Sequence, residues 1–172
     1  MNTTTESIQS AVDAAGRFDA ESDQFLTFML AGEEYGVDIL RVQEIKGWDS
    51  VTPIPNTPEF IRGVINLRGT IVPIIDLRMR FSMESIEYGN TTVVIVLKVR
   101  SESGERTMGF IVDAVSDVYD VAPGQIKPKP DFGQSVRTDF VKGLASVDEK
   151  MVILLDIDNL CDAESYSSQA LT

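Results

Sequence analysis

Residues 60–77 read Phe60-Ile-Arg-Gly-Val-Ile-Asn-Leu-Arg-Gly-Thr-Ile-Val-Pro-Ile-Ile-Asp-Leu77, and residues 140–157 read Phe140-Val-Lys-Gly-Leu-Ala-Ser-Val-Asp-Glu-Lys-Met-Val-Ile-Leu-Leu-Asp-Ile157. The two stretches align without a gap at an offset of 80. Each has two short apolar runs around a polar tip, the pattern of a β-hairpin. A looser match, Tyr35-Gly-Val with Met108-Gly-Phe at an offset of 73, lies upstream. Repetition of this kind predicts two similar β subdomains of about 65 to 70 residues, a size that suits small closed barrels better than sandwiches. The tips differ: Asn66-Leu67-Arg68-Gly69 is cationic and Ser146-Val147-Asp148-Glu149 acidic. Unlike loops on a shared frame are where binding specificity is expected.

Outward from the hairpins, Val- and Ile-rich runs are broken every 8 to 12 residues or so by Gly, Pro, Asn or Asp, an all-β signature. The expected strands are Gln24 to Ala31, Tyr35 to Ile45 with a break or bulge, Gly63 to Leu67, Thr70 to Leu77, Thr91 to Arg100, Arg106 to Val112, Ser116 to Val121, Gly143 to Val147 and Met151 to Ile157. Within Tyr35 to Ile45 the spacing of Ile39, Val42 and Ile45 also fits a helix, and periodicity does not decide between the two. Thr57 to Ile61, Arg78 to Phe81 and Asp156 to Asp162 are expected as helical turns, and the last dozen residues as a short fraying helix. The first 24 residues carry five acids against Arg17, which predicts a solvated tail; Ile8, Val12, Ala15 and Phe18 leave a short docked helix as the alternative.

With 172 residues and 43% hydrophobic content, the chain can bury a core unaided, but no second full-sized domain fits. Val93 to Leu97 and Met151 to Leu155 are far shorter than the roughly 20 apolar residues that cross a bilayer. The N-terminus lacks the basic and apolar regions of a secretory signal, and the single Cys161 allows no intrachain disulfide, so a cytoplasmic location is expected. There is no histidine, which removes the usual general base and the commonest metal ligand. The net charge of −12 repels phosphate backbones and anionic membrane, so nucleic acid and direct membrane insertion are not expected.

Catalytic motifs are absent: there is no G-x-G-x-x-G, no G-x-x-x-x-G-K-[ST], no G-x-S-x-G and no C-x-x-C. Asp156-Ile-Asp158-Asn159 opens like a calcium loop, but Cys161 stands where glycine is required. Asp76 and Asp156 end equivalent strands, where a cap on the following turn explains both; a catalytic pair would require them to converge. Neither a metal nor a cofactor is expected. Arg62, Arg68, Arg78 and Arg80 against Asp76 give Phe60 to Phe81 a local charge of about +3, the clearest charge anomaly in the chain. Arg68 stands out, because a hairpin tip projects its guanidinium toward a partner carboxylate. Trp48 is either a lid over a barrel end or an interface anchor, and Phe132, on a Pro-flanked loop, is either folded back or an anchor.

These residues resemble the CheW family of bacterial chemotaxis coupling proteins. The resemblance rests on Glu34-Tyr-Gly-Val-Asp-Ile-Leu-Arg-Val-Gln-Glu-Ile45, on Thr57 through Leu77, on Thr91 to Leu97, on Gly109-Phe-Ile-Val-Asp-Ala-Val-Ser-Asp-Val118 and on Met151 to Leu155. It covers residues 24 to 162, leaving 1–23 as a disordered acidic tail and 163–172 as a C-terminal tail. It implies two intertwined five-stranded SH3-like barrels and a non-catalytic adaptor joining the cytoplasmic tips of methyl-accepting chemoreceptors to the regulatory domain of the histidine kinase CheA. The chain alone would be a monomer, held at membrane receptor arrays through its partners. Positions matching the receptor surface are Val42, Glu44, Gly63, Asn66, Arg68 and Ile71, the apolar ones packing on a receptor helix. Phe132, Val51, Thr52 and Arg62 match kinase contacts. Two other readings fit the residues: an enzyme working through carboxylates such as Asp76, Asp156 or Glu33-Glu34, and a generic barrel that binds peptide or polysaccharide.

Overall fold

In the computed structural model, residues 8–9, 23–101, 104–128 and 140–160 are described. Among the described residues, eleven strands form two sheets. The first sheet contains β3 (Val42–Gly47), β4 (Ile61–Leu67), β5 (Thr70–Asp76), β6 (Val93–Ser101) and β7 (Gly104–Val112), in the order β3-β6-β7-β5-β4. The second contains β1 (Asp23–Leu30), β2 (Glu33–Asp38), β8 (Ala114–Val121), β9 (Ile126–Lys127), β10 (Val141–Val147) and β11 (Lys150–Leu155), in the order β8-β1-β2-β11-β10-β9. Two four-residue helices, α1 (Leu77–Arg80) and α2 (Ile157–Leu160), follow β5 and β11. The chain begins in the second sheet, builds the whole of the first, and returns, which intertwines the two units.

The internal repeat extends further than the hairpins. In each copy one parallel pairing joins the hairpin to a strand distant in sequence, downstream through Ile74↔Gly109 in the first and upstream through Leu154↔Gly36 in the second. Those glycines are the centre of the looser match, and the contact explains them: a Cβ at Gly109 would lie 2.6 Å from Ile74 Cδ1, and one at Gly36 would lie 3.1 Å from Leu154 Cδ2. Gly63 and Gly143 sit at equivalent register shifts, where β4 and β10 step past their partners. The Phe60 carbonyl accepts from Asp76 N–H at 2.7 Å, and the Phe140 carbonyl from Asp156 N–H at 2.8 Å. Both aspartates then cap a helix, Asp76 taking Met79 N–H and Asp156 taking Asn159 N–H, each at 3.2 Å. The capping role expected from the sequence is the one observed.

Each sheet has its own small core. Val72, Ile74, Val94, Val96 and Ile111 form the first, and Phe25, Val121, Ala145, Val152 and Leu154 lie in the second. A larger shared core, which includes Phe28, Val37, Ile95, Phe110 and Leu155, welds the units together. A column of stacked rings, Phe28, Tyr35, Phe81 and Phe140, crosses it with centroid spacings of 5.8 to 6.0 Å. Aromatic packing of this kind dominates the energetics of a small core.

Several expectations need adjustment. The Tyr35 to Ile45 run is broken by a 3-10 turn over Ile39–Arg41, where the Asp38 carboxylate accepts Leu40 N–H at 3.0 Å. This turn resolves the mixed periodicity: Ile39 and Val42 point inward and Leu40 is 67% exposed. Thr57 to Ile61 is a turn closed by Ile61 N–H on Pro58 C=O, at 3.0 Å, not a helix. At two positions the N-terminal segment is docked, not solvated: Ile8 and Gln9 are helical, and Ile8 is buried in the shared core. The C-terminal tail with its expected helix, and Phe132, lie outside the described residues.

Candidate docking surface

The β4–β5 hairpin turns through Arg68 and Gly69, with φ of 52° and 89°. Positive φ at both central residues is what a tight two-residue hairpin needs, and glycine supplies one of them without strain. Asn66 reinforces the turn, its Oδ1 accepting Gly69 N–H at 2.8 Å. Asn66 and Ile71 stand directly opposite each other in the ladder, and Ile71 is 60% exposed. Across the surface, Arg68 Nη2 reaches Glu44 Oε1 of β3 at 2.7 Å. Glu44 is mostly shielded whereas Arg68 is 80% exposed, so the guanidinium keeps most of its fork in solvent, able to meet a second carboxylate. Arg68 thus ties the hairpin tip to β3, with Asn66 and Ile71 paired in the ladder behind the tip.

Val42 and Gly63 do not face solvent with them. Val42 is 7% exposed and part of the shared core, so it has no surface to pack on a partner helix. Gly63 is buried, with φ of 148°, and its missing Cβ would lie 2.3 Å from Thr52 C=O. It permits a close backbone approach: Thr52 and Val64 exchange reciprocal N–H···O bonds of 2.9 Å each. Thr52 is thereby fixed beside β4 and exposed, while Val51 packs against the first core and Arg62 is exposed. A groove of about 280 Å3 runs here, lined by Lys46, Trp48, Val51, Thr52 and Asn66 among others. Trp48 is a lid: half-buried against the first core, its ring lies 4.5 Å from that of Tyr88. Burial, followed by the hydrogen bond the Tyr88 hydroxyl donates to Asp76, raises the Tyr88 pKa far above that of an ordinary phenol.

The arginine patch is largely spent on internal contacts. Arg78 forks onto Asp113, Nε to Oδ1 at 2.8 Å and Nη2 to Oδ2 at 2.6 Å. Burial alone would raise the Asp113 carboxyl, but Arg78 and the Ala31 N–H outweigh it and hold the group below the usual carboxylate range. Arg80 is buried, its guanidinium 5.0 Å from the Phe60 ring centre and 4.5 Å from that of Phe140. It therefore sits between the two equivalent phenylalanines of the repeat. The calcium-like Asp158 is instead the fork partner of Arg41, at 3.0 and 2.8 Å. Among the described residues no acidic or thiol cluster is arranged to hold a metal, and no helix is long and apolar enough to cross a membrane.

Leu40, which a strand reading already leaves on a partly exposed strip, is thrown outward by the 3-10 turn. One surface feature escaped the sequence reading. Gln9 reaches β3 from the far end of the chain, and only the helical spacing that begins at Ile8 hinted at docking.

The model of the CheW-like domain matches residues 24–165. The chain belongs to the CheW family. Chemotaxis protein CheW of Klebsiella aerogenes is 51% identical over 144 residues, 84% of each chain. Chemotaxis protein CheW of Bacillus subtilis is 30% identical over 146 residues, 85% of this chain and 91% of that one. The crystal structure of the scaffolding protein TtCheW from Thermoanaerobacter tengcongensis aligns with a TM-score of 0.73 at 38% identity, covering 81% of this chain and 92% of that one. CheW membership thus accounts for the paired sheets and the all-β architecture.

Proposed function

We propose that this chain is a non-catalytic chemotaxis adaptor that couples chemoreceptor cytoplasmic tips to the histidine kinase CheA. The observation that carries the reading is the Glu44–Arg68 pair at the tip of a hairpin that also exposes Ile71. A receptor helix would bury a side chain on Ile71, and a carboxylate on it would share the Arg68 fork. CheA would engage the Val51–Thr52 turn and Arg62, with Phe132 as a further contact. An adaptor of this kind works by occupying separate faces together, so that receptor conformation biases kinase orientation. It acts in the cytoplasm, held at receptor arrays by its partners.

Charge reversal at the hairpin tip tests this. Arg68→Glu sets a second carboxylate against Glu44 and should abolish co-sedimentation with a receptor cytoplasmic fragment while CheA binding persists. Exposed pairs contribute about 0 to 1 kcal/mol, so the fold should survive. Retained receptor binding in the variant would refute the assignment, and binding to neither partner by the parent protein would turn the search toward peptide or polysaccharide ligands.

A further inference from the structure

Among the described residues β3 is an edge strand of the first sheet, with β6 on one side and no strand on the other. Such edges invite strand addition unless something covers their donors. Here the cover comes from the N-terminal segment: Gln9 Oε1 accepts Ile45 N–H at 3.0 Å, while the neighbouring Ile8 is 4% exposed and sunk into the shared core. Gln9 also lines, with Gln43, Glu44, Ile45 and Arg68, a groove of about 400 Å3. Two of those residues are the ion pair on which the docking assignment rests. Ile8 and Gln9 lie outside the span that matches the CheW-like domain, residues 24–165. The fixed depth of Ile8 makes Gln9 a wall and not a loose flap, because withdrawing it would pull an apolar side chain out of the core.

We propose that Gln9 is a specificity-determining residue of the receptor-docking groove, contributed by the N-terminal segment; this inference rests on the receptor assignment of Glu44 and Arg68. With the Ile45 donor taken, a partner cannot extend the sheet by adding a strand at that position. It must dock as a preformed element, through side chains that meet the amides of Gln9 and Gln43 and the Glu44–Arg68 pair. A receptor helix that presents a carboxylate and an amide or hydroxyl fits that lining.

The test titrates the full-length protein with a soluble receptor cytoplasmic fragment and, in parallel, with CheA. Gln9→Ala should weaken receptor binding about three- to tenfold, the loss of one polar contact, and leave CheA binding unchanged. Gln9→Glu keeps an acceptor for Ile45 N–H but adds charge beside Glu44, so it should hold the parent's unfolding midpoint and still weaken receptor binding. Arg68→Glu serves as the reference. If Arg68→Glu abolishes receptor binding while both Gln9 variants match the parent, the inference about Gln9 fails and the docking assignment stands. If Arg68→Glu has no effect, the docking assignment fails and the inference with it. Equal losses toward receptor and CheA would make Gln9 a structural residue and overturn the inference.

Discussion

Replacing Gly63 with alanine separates a structural role from a docking role at a position that resemblance alone places on the receptor surface. Its φ of 148° lies where L side chains are strained, and forcing one there costs about 1 to 3 kcal/mol. The new Cβ would stand 2.3 Å from Thr52 C=O and 2.8 Å from its carbonyl carbon, both backbone atoms that have no rotamer to yield with. Relief therefore means separating the strands and losing the reciprocal Thr52–Val64 bonds, each about 1 kcal/mol net. The sum, about 3 to 5 kcal/mol, is a large part of the 5 to 15 kcal/mol of a typical domain. Gly143→Ala is the internal control. Gly143 has no positive φ, and its Cβ would lie 2.8 Å from Lys127 C=O, so crowding alone costs about 1 to 2 kcal/mol. In urea, with a slope of about 2 kcal/mol per molar, Gly63→Ala should lower the midpoint by about 1.5 to 2.5 M and Gly143→Ala by about 0.5 to 1 M. Equal shifts, or a Gly63→Ala midpoint at the parent's value with receptor binding lost, would refute the reasoning and return Gly63 to the docking surface.

Three further outcomes follow from the same contacts. Arg80→Ala removes the cation held between Phe60 and Phe140 and leaves a gap between the sheets, a loss of about 2 to 4 kcal/mol; Arg80→Lys keeps the charge without the flat stack and should fall between, as thermal melts would show. Asp113 titrates below its unfolded value, so its contribution is complete above about pH 4 and disappears as pH falls through the folded value. Arg78→Ala should therefore cost more stability at pH 7 than at pH 2, and parallel pH curves for variant and parent would contradict the assignment. Phe132→Ser should spare ternary complexes with receptor and CheA yet reduce larger assemblies, a split that unchanged clustering in cells would exclude.

Much of this fold was legible because the sequence states it twice. The hairpins of residues 60–77 and 140–157 carry their own turns, glycine steps and capping aspartates, all local features that spacing reveals. Which strands join which sheet was not local. β1 and β2 belong with β10 and β11 because of pairings such as Leu154↔Gly36, across more than a hundred residues. The same limit governed the site. Arg68 at a tip announced itself, but its partner Glu44 and the burial of Val42 depend on how β3 lies against the hairpin. Arg78 and Arg80 looked like surface charge because their partners, Asp113 and the Phe60–Phe140 pair, are distant in sequence. Ile8 and Gln9 were hidden within an acidic segment whose composition speaks for solvent.

The most direct measurement reconstitutes receptor cytoplasmic fragment, CheA and this protein, and follows kinase activity as the protein is titrated in. Receptor control of CheA should appear only when the protein is present, saturate as the complex forms, and be absent with Arg68→Glu. Kinase activity that responds to receptor without the protein, or equally well with Arg68→Glu, would contradict the coupling account.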